Sequence, residues 1–430
     1  MLLNFITENY LSFKERAEFN LMASSSKKNA DNVYIHNKYR ILKSSAIYGA
    51  NASGKSNLLK AILFMKKIVT RQVKPNSDID VDNFKLSSET ENLPSIFEAT
   101  FLIKDYEFNG KSSDVVFRYG FELDRKKIHK EWLFARFTSQ ESKLFTRDGN
   151  LISNGEKFKE GYLVYKALGD INEKSLFLSV IYTLKGKNAP ISDTIIRWFS
   201  KLNDITSIRD YNLNGVTLSL LDKKIITKNM LNEAFKLADL GIDGFSVEEI
   251  EVNKFSEKQT GLFRREANKL MNIKINTNHS KYDENKKLIN NINFDFEKYE
   301  SDGTKKFFAI IGPILHALKE GLILIQDEID SKLHPSLAKA IISLFNSKAN
   351  SKGAQLIFTT HNIDLMDLLR KKQIYFIDKN HYGESELYSL NDFSVRNDVL
   401  FSKNYYLGKY GAVPVIGNLE NLLIEDYNGK

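Results

Sequence analysis

The chain has 430 residues, 62 Lys+Arg against 54 Asp+Glu, a formal net charge of +8 at pH 7 and no cysteine. That length admits two or three domains, and 42% hydrophobic with 27% charged residues describes an ordinary soluble globular protein. Disulfides, thiolate zinc sites and cysteine nucleophiles are excluded, and with Gly 22 and Pro 6 there is little material for long flexible linkers.

Residues 2–23 alternate apolar and polar side chains around Asn9 and Tyr10, which predicts two strands and a turn. Glu8, Lys14 and Glu15 interrupt this stretch, so it holds no apolar run of signal-peptide length. Residues 41–48 read as one short buried strand, followed by a glycine-rich loop and an amphipathic helix over 57–69. Strands are predicted at 94–102, 115–123 and 132–137. From about residue 155 the apolar period lengthens, and helices are predicted at 179–184, 195–202 and 230–240. Residues 257–300 are polar and rich in Asn and Lys, which predicts that this stretch contains a mobile loop. A helix at 305–318, a buried strand at 322–326, a helix at 335–346 with Pro335 at its first position, and a buried strand at 355–359 complete the pattern. Alternating helices and apolar strands predict an α/β fold with a mostly parallel sheet. The expected division is 1–154, 155–290 (mainly helical) and 291–430. The apolar run 321–325 is far too short to span a bilayer, so a cytoplasmic protein without membrane contact is expected.

Four segments carry chemistry. Gly49-Ala50-Asn51-Ala52-Ser53-Gly54-Lys55-Ser56 matches the G-x-x-x-x-G-K-[ST] phosphate loop, with a strand before it and a helix after. Its glycines let backbone N–H groups converge on phosphate oxygens. Lys55 sets a positive charge against the β- and γ-phosphates of ATP, Ser56 offers a hydroxyl to Mg²⁺, and the helix from Asn57 aims its positive end at the anion. The expected nucleotide contacts here are Gly49, Asn51, Ser53, Gly54, Lys55, Ser56 and Asn57. Ile323-Leu324-Ile325-Gln326-Asp327-Glu328 is an apolar strand ending in two acids. In a phosphate-loop fold Asp327 holds the Mg²⁺ shell and Glu328 activates the attacking water as general base. Phe358-Thr359-Thr360-His361-Asn362 ends another strand on a histidine, at the edge where ligands sit in open α/β sheets. His361 is therefore expected at the γ-phosphate or the attacking water. Glu300-Ser301-Asp302-Gly303-Thr304 heads a helix and reads on its own as an N-cap.

In this order the four segments resemble ABC-type ATPases, where a signature segment precedes the acidic strand and a D-loop (here residues 330–335) and a histidine switch follow it. The long gap between Lys55 and Ser301 resembles chromosome-maintenance (SMC) and RecF-like members. The segments at 9–23, 49–62, 94–101, 115–123 and 405–414 resemble one subfamily more closely, the AbiL/RloA-like ATP-binding proteins of bacterial abortive-infection and anti-phage loci, relatives of the OLD ATPases. The resemblance implies a two-lobed ATPase head with a helical insertion. It also implies a homodimer, or a higher homo-oligomer, around two ATP molecules, with Ser301 and Gly303 of one copy reaching the γ-phosphate held by Lys55 of the other.

A separately encoded effector, a nuclease or toxin, is implied as partner, because nothing after Pro414 leaves room for a nuclease in this chain. ESDGT in place of the transporter-like LSGGQ argues against a transporter subunit. No glutamine fits the Q-loop: Gln72 follows the loop too closely, and Glu98 stands in the right strand but is the wrong residue. The net positive charge leaves nucleic acid open as a partner and a RecF-like DNA-maintenance role as the alternative. None of the seven histidines pairs at metal-ligand spacing, which argues against a self-sufficient nuclease.

Overall fold

The computed structural model describes residues 1–70, 77–108, 110–205, 210–252, 262–266, 269–396, 399–414 and 417–420. Two compact units interleave along the chain. One takes residues 1–2, 30–44 and 193–362, and the other takes residues 3–29, 45–192 and those from 363 on.

The unit that carries the phosphate loop contains a seven-stranded sheet. Its order is Leu151–Asn154, Ser142–Asp148, Ile128–Arg136, Lys111–Leu123, Ser95–Phe108, Leu2–Glu8, Ala17–Asn20. The two longest strands pair antiparallel, with Phe97 opposite Phe121 and Phe101 opposite Phe117. Alternation sends Phe97, Ala99 and Phe101 inward while Glu98 and Thr100 stay half-buried, the period of two that one packed face requires. The inner face closes over the helix Lys55–Thr70: Phe64 lies 4.9 Å from Phe97 and 5.4 Å from Tyr10, ring centroid to ring centroid. A second set of strands holds the loop from behind. Ser44–Tyr48 runs parallel to Ile374–Lys379, which pairs antiparallel with Ser385–Ser389. Every residue of Ser44–Tyr48 is buried, its two serines included, as in a strand covered on both faces.

In the other unit three strands, Leu202–Asp204, Ile323–Gln326 and Gln355–Thr359, run parallel in that order. Gln355 is buried at their edge, accepting from the Leu2 N–H at 2.7 Å and donating to the Leu2 and Leu42 carbonyls at 3.0 and 3.2 Å. The helix Asp302–Glu320 begins at Ser301, whose hydroxyl accepts from the Thr304 N–H, and ends at Gly321 in the left-handed conformation (φ 68°). Pro313 inside it has no N–H for the Ala309 carbonyl. The Thr217 hydroxyl of the helix Asp210–Asp222 approaches that carbonyl at 3.2 Å and Phe308 O at 3.1 Å, so the helix continues through its proline.

Two sequence expectations change. Residues 41–48 form two strands instead of one. Tyr39–Leu42 pairs with Val33–His36 in a hairpin turning at Asn37 (φ 51°), and Ser44–Tyr48 belongs to the sheet. Lys43 makes the break: its buried ammonium donates to Ser347 O at 2.8 Å, at the end of the helix Pro335–Asn346. The insertion is helical at Lys159–Leu168, Phe177–Lys185, Pro190–Ser200, Asp210–Asp222 and Lys228–Leu237. From Gly244 on it forms a four-stranded antiparallel sheet of Gly244–Val252, Leu262–Glu266, Lys269–Tyr282 and Leu288–Asp295, the last three within the stretch 257–300 expected to contain a mobile loop, of which residues 257–261 and 267–268 lie outside the described residues. A strand ladder satisfies its backbone whatever the side chains are, and among the described residues this sheet buries Phe245, Ile275, Asn276 and Thr277.

Candidate nucleotide site

The phosphate loop leaves the buried strand Ser44–Tyr48 and enters the helix Lys55–Thr70 through three residues of positive φ: Gly49 (155°), Ala52 (60°) and Gly54 (116°). Both glycines are required by space as well as by φ. A Cβ on Gly49 would come within 2.3 Å of the Ile377 carbonyl, and one on Gly54 within 2.4 Å of Ser385 Oγ. Lys55 is 7% exposed and its ammonium donates to Gly49 O at 2.9 Å and Ala50 O at 2.8 Å, so the cation is drawn across the loop. Ser53 Oγ is buried with no hydrogen-bond partner. A curled backbone, a buried cation and a buried hydroxyl awaiting a partner fit a polyphosphate. The Asn57 N–H is spent on Gly54 O at 2.9 Å and its side-chain amide on Ser12 Oγ at 2.7 Å.

In the other unit, Asp327 and Glu328 follow the buried strand Ile323–Gln326. Thr359, wholly buried at the end of Gln355–Thr359, grips both: its hydroxyl donates to Asp327 Oδ1 and accepts from the Glu328 N–H at 2.7 Å. Glu328 adopts φ 46° and its side chain is exposed. Gln326, 2% exposed, donates to Asp327 O at 2.7 Å, while its Oε1 is buried without a partner. His361 is exposed just past the neighbouring strand, and Asn362 N–H donates to Thr360 Oγ1 at 3.0 Å. At the head of Asp302–Glu320, Gly303 lies against the segment after Glu328: a Cβ there would meet Lys332 O at 3.0 Å. Glu300 accepts from Thr277 Oγ1 at 2.5 Å and stands 2.8 Å from His279 Nε2, so the four-stranded sheet touches the residue before Ser301. His334 caps the helix Pro335–Asn346.

A family model described as "AAA domain, putative AbiEii toxin, Type IV TA system" matches residues 44–367. The chain belongs to this AAA family. The match covers the phosphate loop, the acidic strand and His361, so the protein is an AAA-type ATPase domain over most of its length. None of the curated proteins matches it. Among solved structures it is similar to the SMC head domain from Thermotoga maritima, at 14% identity and TM-score 0.39 over 90% of this chain and 98% of that one. It is also similar to the SmcHead bound to the C-winged helix domain of ScpA, at 14% identity and TM-score 0.40 over 90% and 97%.

Several residues of this AAA protein carry weight that the sequence did not announce. Thr359, within the strand end at 358–362, bridges Asp327 and Glu328. Ser12 and Ser385 meet behind the phosphate loop from opposite ends of the chain, 2.8 Å apart. Glu98 is held by Arg118 at 2.9 Å and by the Trp132 indole at 2.7 Å, while Gln72 lies outside the described residues. Among the described residues no group of three or more His, Asp or Glu side chains is placed to hold a metal ion by itself. No helix there is long and apolar enough to cross a membrane.

Proposed function

We propose that this AAA protein binds ATP with magnesium, hydrolyses it as a homodimer, and uses that cycle to control a separately encoded effector in anti-phage defence. The observation that carries the nucleotide part is the phosphate loop, with its two glycines that admit no Cβ, its buried Lys55 and the buried Ser53 hydroxyl. In this reading Gly49, Asn51, Ser53 and Gly54 line the polyphosphate, Asn57, expected there too, braces the loop from behind through Ser12, and Lys55 binds the terminal oxygens. Ser56 and Asp327 hold the magnesium ion, which neutralises charge on the phosphate oxygens. Glu328 takes the proton of the attacking water, with Thr359 holding both acids in place. His361 contacts the γ-phosphate or that water. Ser301 and Gly303 act in trans at the partner's nucleotide, and residues 155–290 form an insertion between ATPase lobes at 1–154 and 291–430.

Magnesium-dependent ATP turnover by the purified protein tests the first part, and a protein that binds no ATP ends it. The effector reading is supported by the toxin–antitoxin wording of the family description. Co-purification with the product of the adjacent gene tests it: no bound partner, together with toxicity of this chain expressed alone, sinks it. The net charge of +8 supports the alternative, a DNA-maintenance ATPase. That role requires DNA-stimulated hydrolysis and binding that weakens steeply with salt.

A further inference from the structure

Behind the phosphate loop three side chains and one carbonyl lie in series. Asn57 Nδ2 is 2.7 Å from Ser12 Oγ, Ser12 Oγ is 2.8 Å from Ser385 Oγ, and Ser385 Oγ is 2.5 Å from the Ser53 carbonyl. Each hydroxyl has one proton to give. The Ser53 carbonyl can only accept and the Asn57 amide can only donate. The direction is therefore fixed: Asn57 donates to Ser12, Ser12 to Ser385, and Ser385 to Ser53. Ser12 and Ser385 are 8% and 5% exposed, so water competes little for these bonds and the chain is polarised from end to end. The backbones are tied as well, with Ser385 N–H donating to Ser12 O at 2.7 Å. An ion pair of Lys14 with Glu384, at 3.2 Å, staples the same two segments. The bonds to Glu89 and Glu384 hold the Lys14 ammonium above its ordinary pKa.

We infer that Ser12 and Ser385 are positioning residues that lock the Ser53–Gly54 peptide of the phosphate loop in its anion-binding orientation. A trans peptide directs its C=O and N–H oppositely. Anchoring the Ser53 carbonyl on Ser385 therefore turns the Gly54 N–H away from the serines and into the loop. Without that anchor the peptide is free to turn over, since glycine tolerates both orientations. A carbonyl would then face the phosphates where an N–H should be. The inference rests on the proposed ATP binding for its affinity readout, and has a second readout that does not.

The test uses the full chain carrying Ser12→Ala, Ser385→Ala, both together, and Ser385→Thr. ATP affinity is read by titration with a fluorescent ATP analogue, alongside turnover at saturating ATP. Each alanine variant should weaken binding about tenfold, the worth of one lost hydrogen bond, with saturated turnover nearly unchanged. The double variant should be no worse than either single one, because a series breaks at any link. Ser385→Thr, which keeps the hydroxyl, should restore affinity. Hydrogen exchange of peptides spanning residues 49–57, without nucleotide, should quicken in both alanine variants. Unchanged exchange in both would overturn the inference whether or not ATP binds. Unchanged affinity in both, or losses that multiply in the double variant, would overturn it in a protein that binds ATP. Failure of the unaltered protein to bind ATP would instead strike the proposed function.

Discussion

Lys55 and Glu328 divide the proposed chemistry into binding and turnover. Lys55 is buried in the loop and tied to two of its carbonyls, so removing it takes away both the phosphate cation and a strut of the cradle. Lys55→Ala should weaken ATP binding by roughly ten- to a hundredfold, the worth of a charge-assisted bond, as read by equilibrium titration. Glu328 is exposed and held through its N–H by Thr359, so its carboxylate can change without disturbing the backbone. Glu328→Gln should keep ATP affinity while turnover falls by about 10²–10⁴, the usual worth of a general base. Normal turnover in that variant removes Glu328 from the role. Both residues were legible because a fixed spacing or a strand end marks them. Ser12, Ser385 and Gln326 were not: a serine hydroxyl or a buried amide has no spacing signature, and Ser12 and Ser385 stand far apart in the chain.

Elements were legible where burial is continuous or one-sided. Pro335–Asn346 and Gln355–Thr359 lie where the apolar runs placed them. The strand Leu288–Asp295 was not legible, because its Asn-rich sequence leaves most side chains exposed or half-buried and shows no apolar alternation. Some elements depend on one distant polar side chain. Glu131, wholly buried, accepts from the Phe177 and Leu178 N–H groups at 2.6 and 3.1 Å and from Tyr119 at 2.9 Å, fixing the start of the helix Phe177–Lys185. Glu131→Ala leaves those donors, and nearby Arg147, buried without it. It should cost about 3–5 kcal/mol, read as a lower melting temperature. On the helix Asp302–Glu320, burial holds His316 below its ordinary pKa, with Lys319 and Lys223 adding to the shift and Glu320 opposing it. The fold prefers the neutral ring. Stability from this group is therefore present above pH 6.5 and lost as pH falls through that value toward the lowered one. His316→Gln should flatten that acid-side decline in melting temperature.

At the scale of the whole molecule, the dimer reading makes a prediction that no single variant can. Lys55→Ala disables a protomer's own nucleotide, and a bulky residue at Gly303, pressed on Lys332 O, disables its partner's. Each variant alone should be inactive. Mixed one to one, half the dimers are hybrids with one sound site of two, so about a quarter of full turnover should return. No recovery in a mixture that exchanges protomers would argue against sites shared between copies. The interleaving of the two units has a further consequence, for biosynthesis. Neither unit is a contiguous stretch: residue 2 is fastened to residue 355, and residue 46 pairs with residue 374. Most of the polypeptide must therefore emerge from the ribosome before either core can close. Until then the nascent chain holds out apolar strands with unpaired edges, a state prone to aggregate. Translation halted before residue 355 should yield only material that chaperones retain or proteases clear.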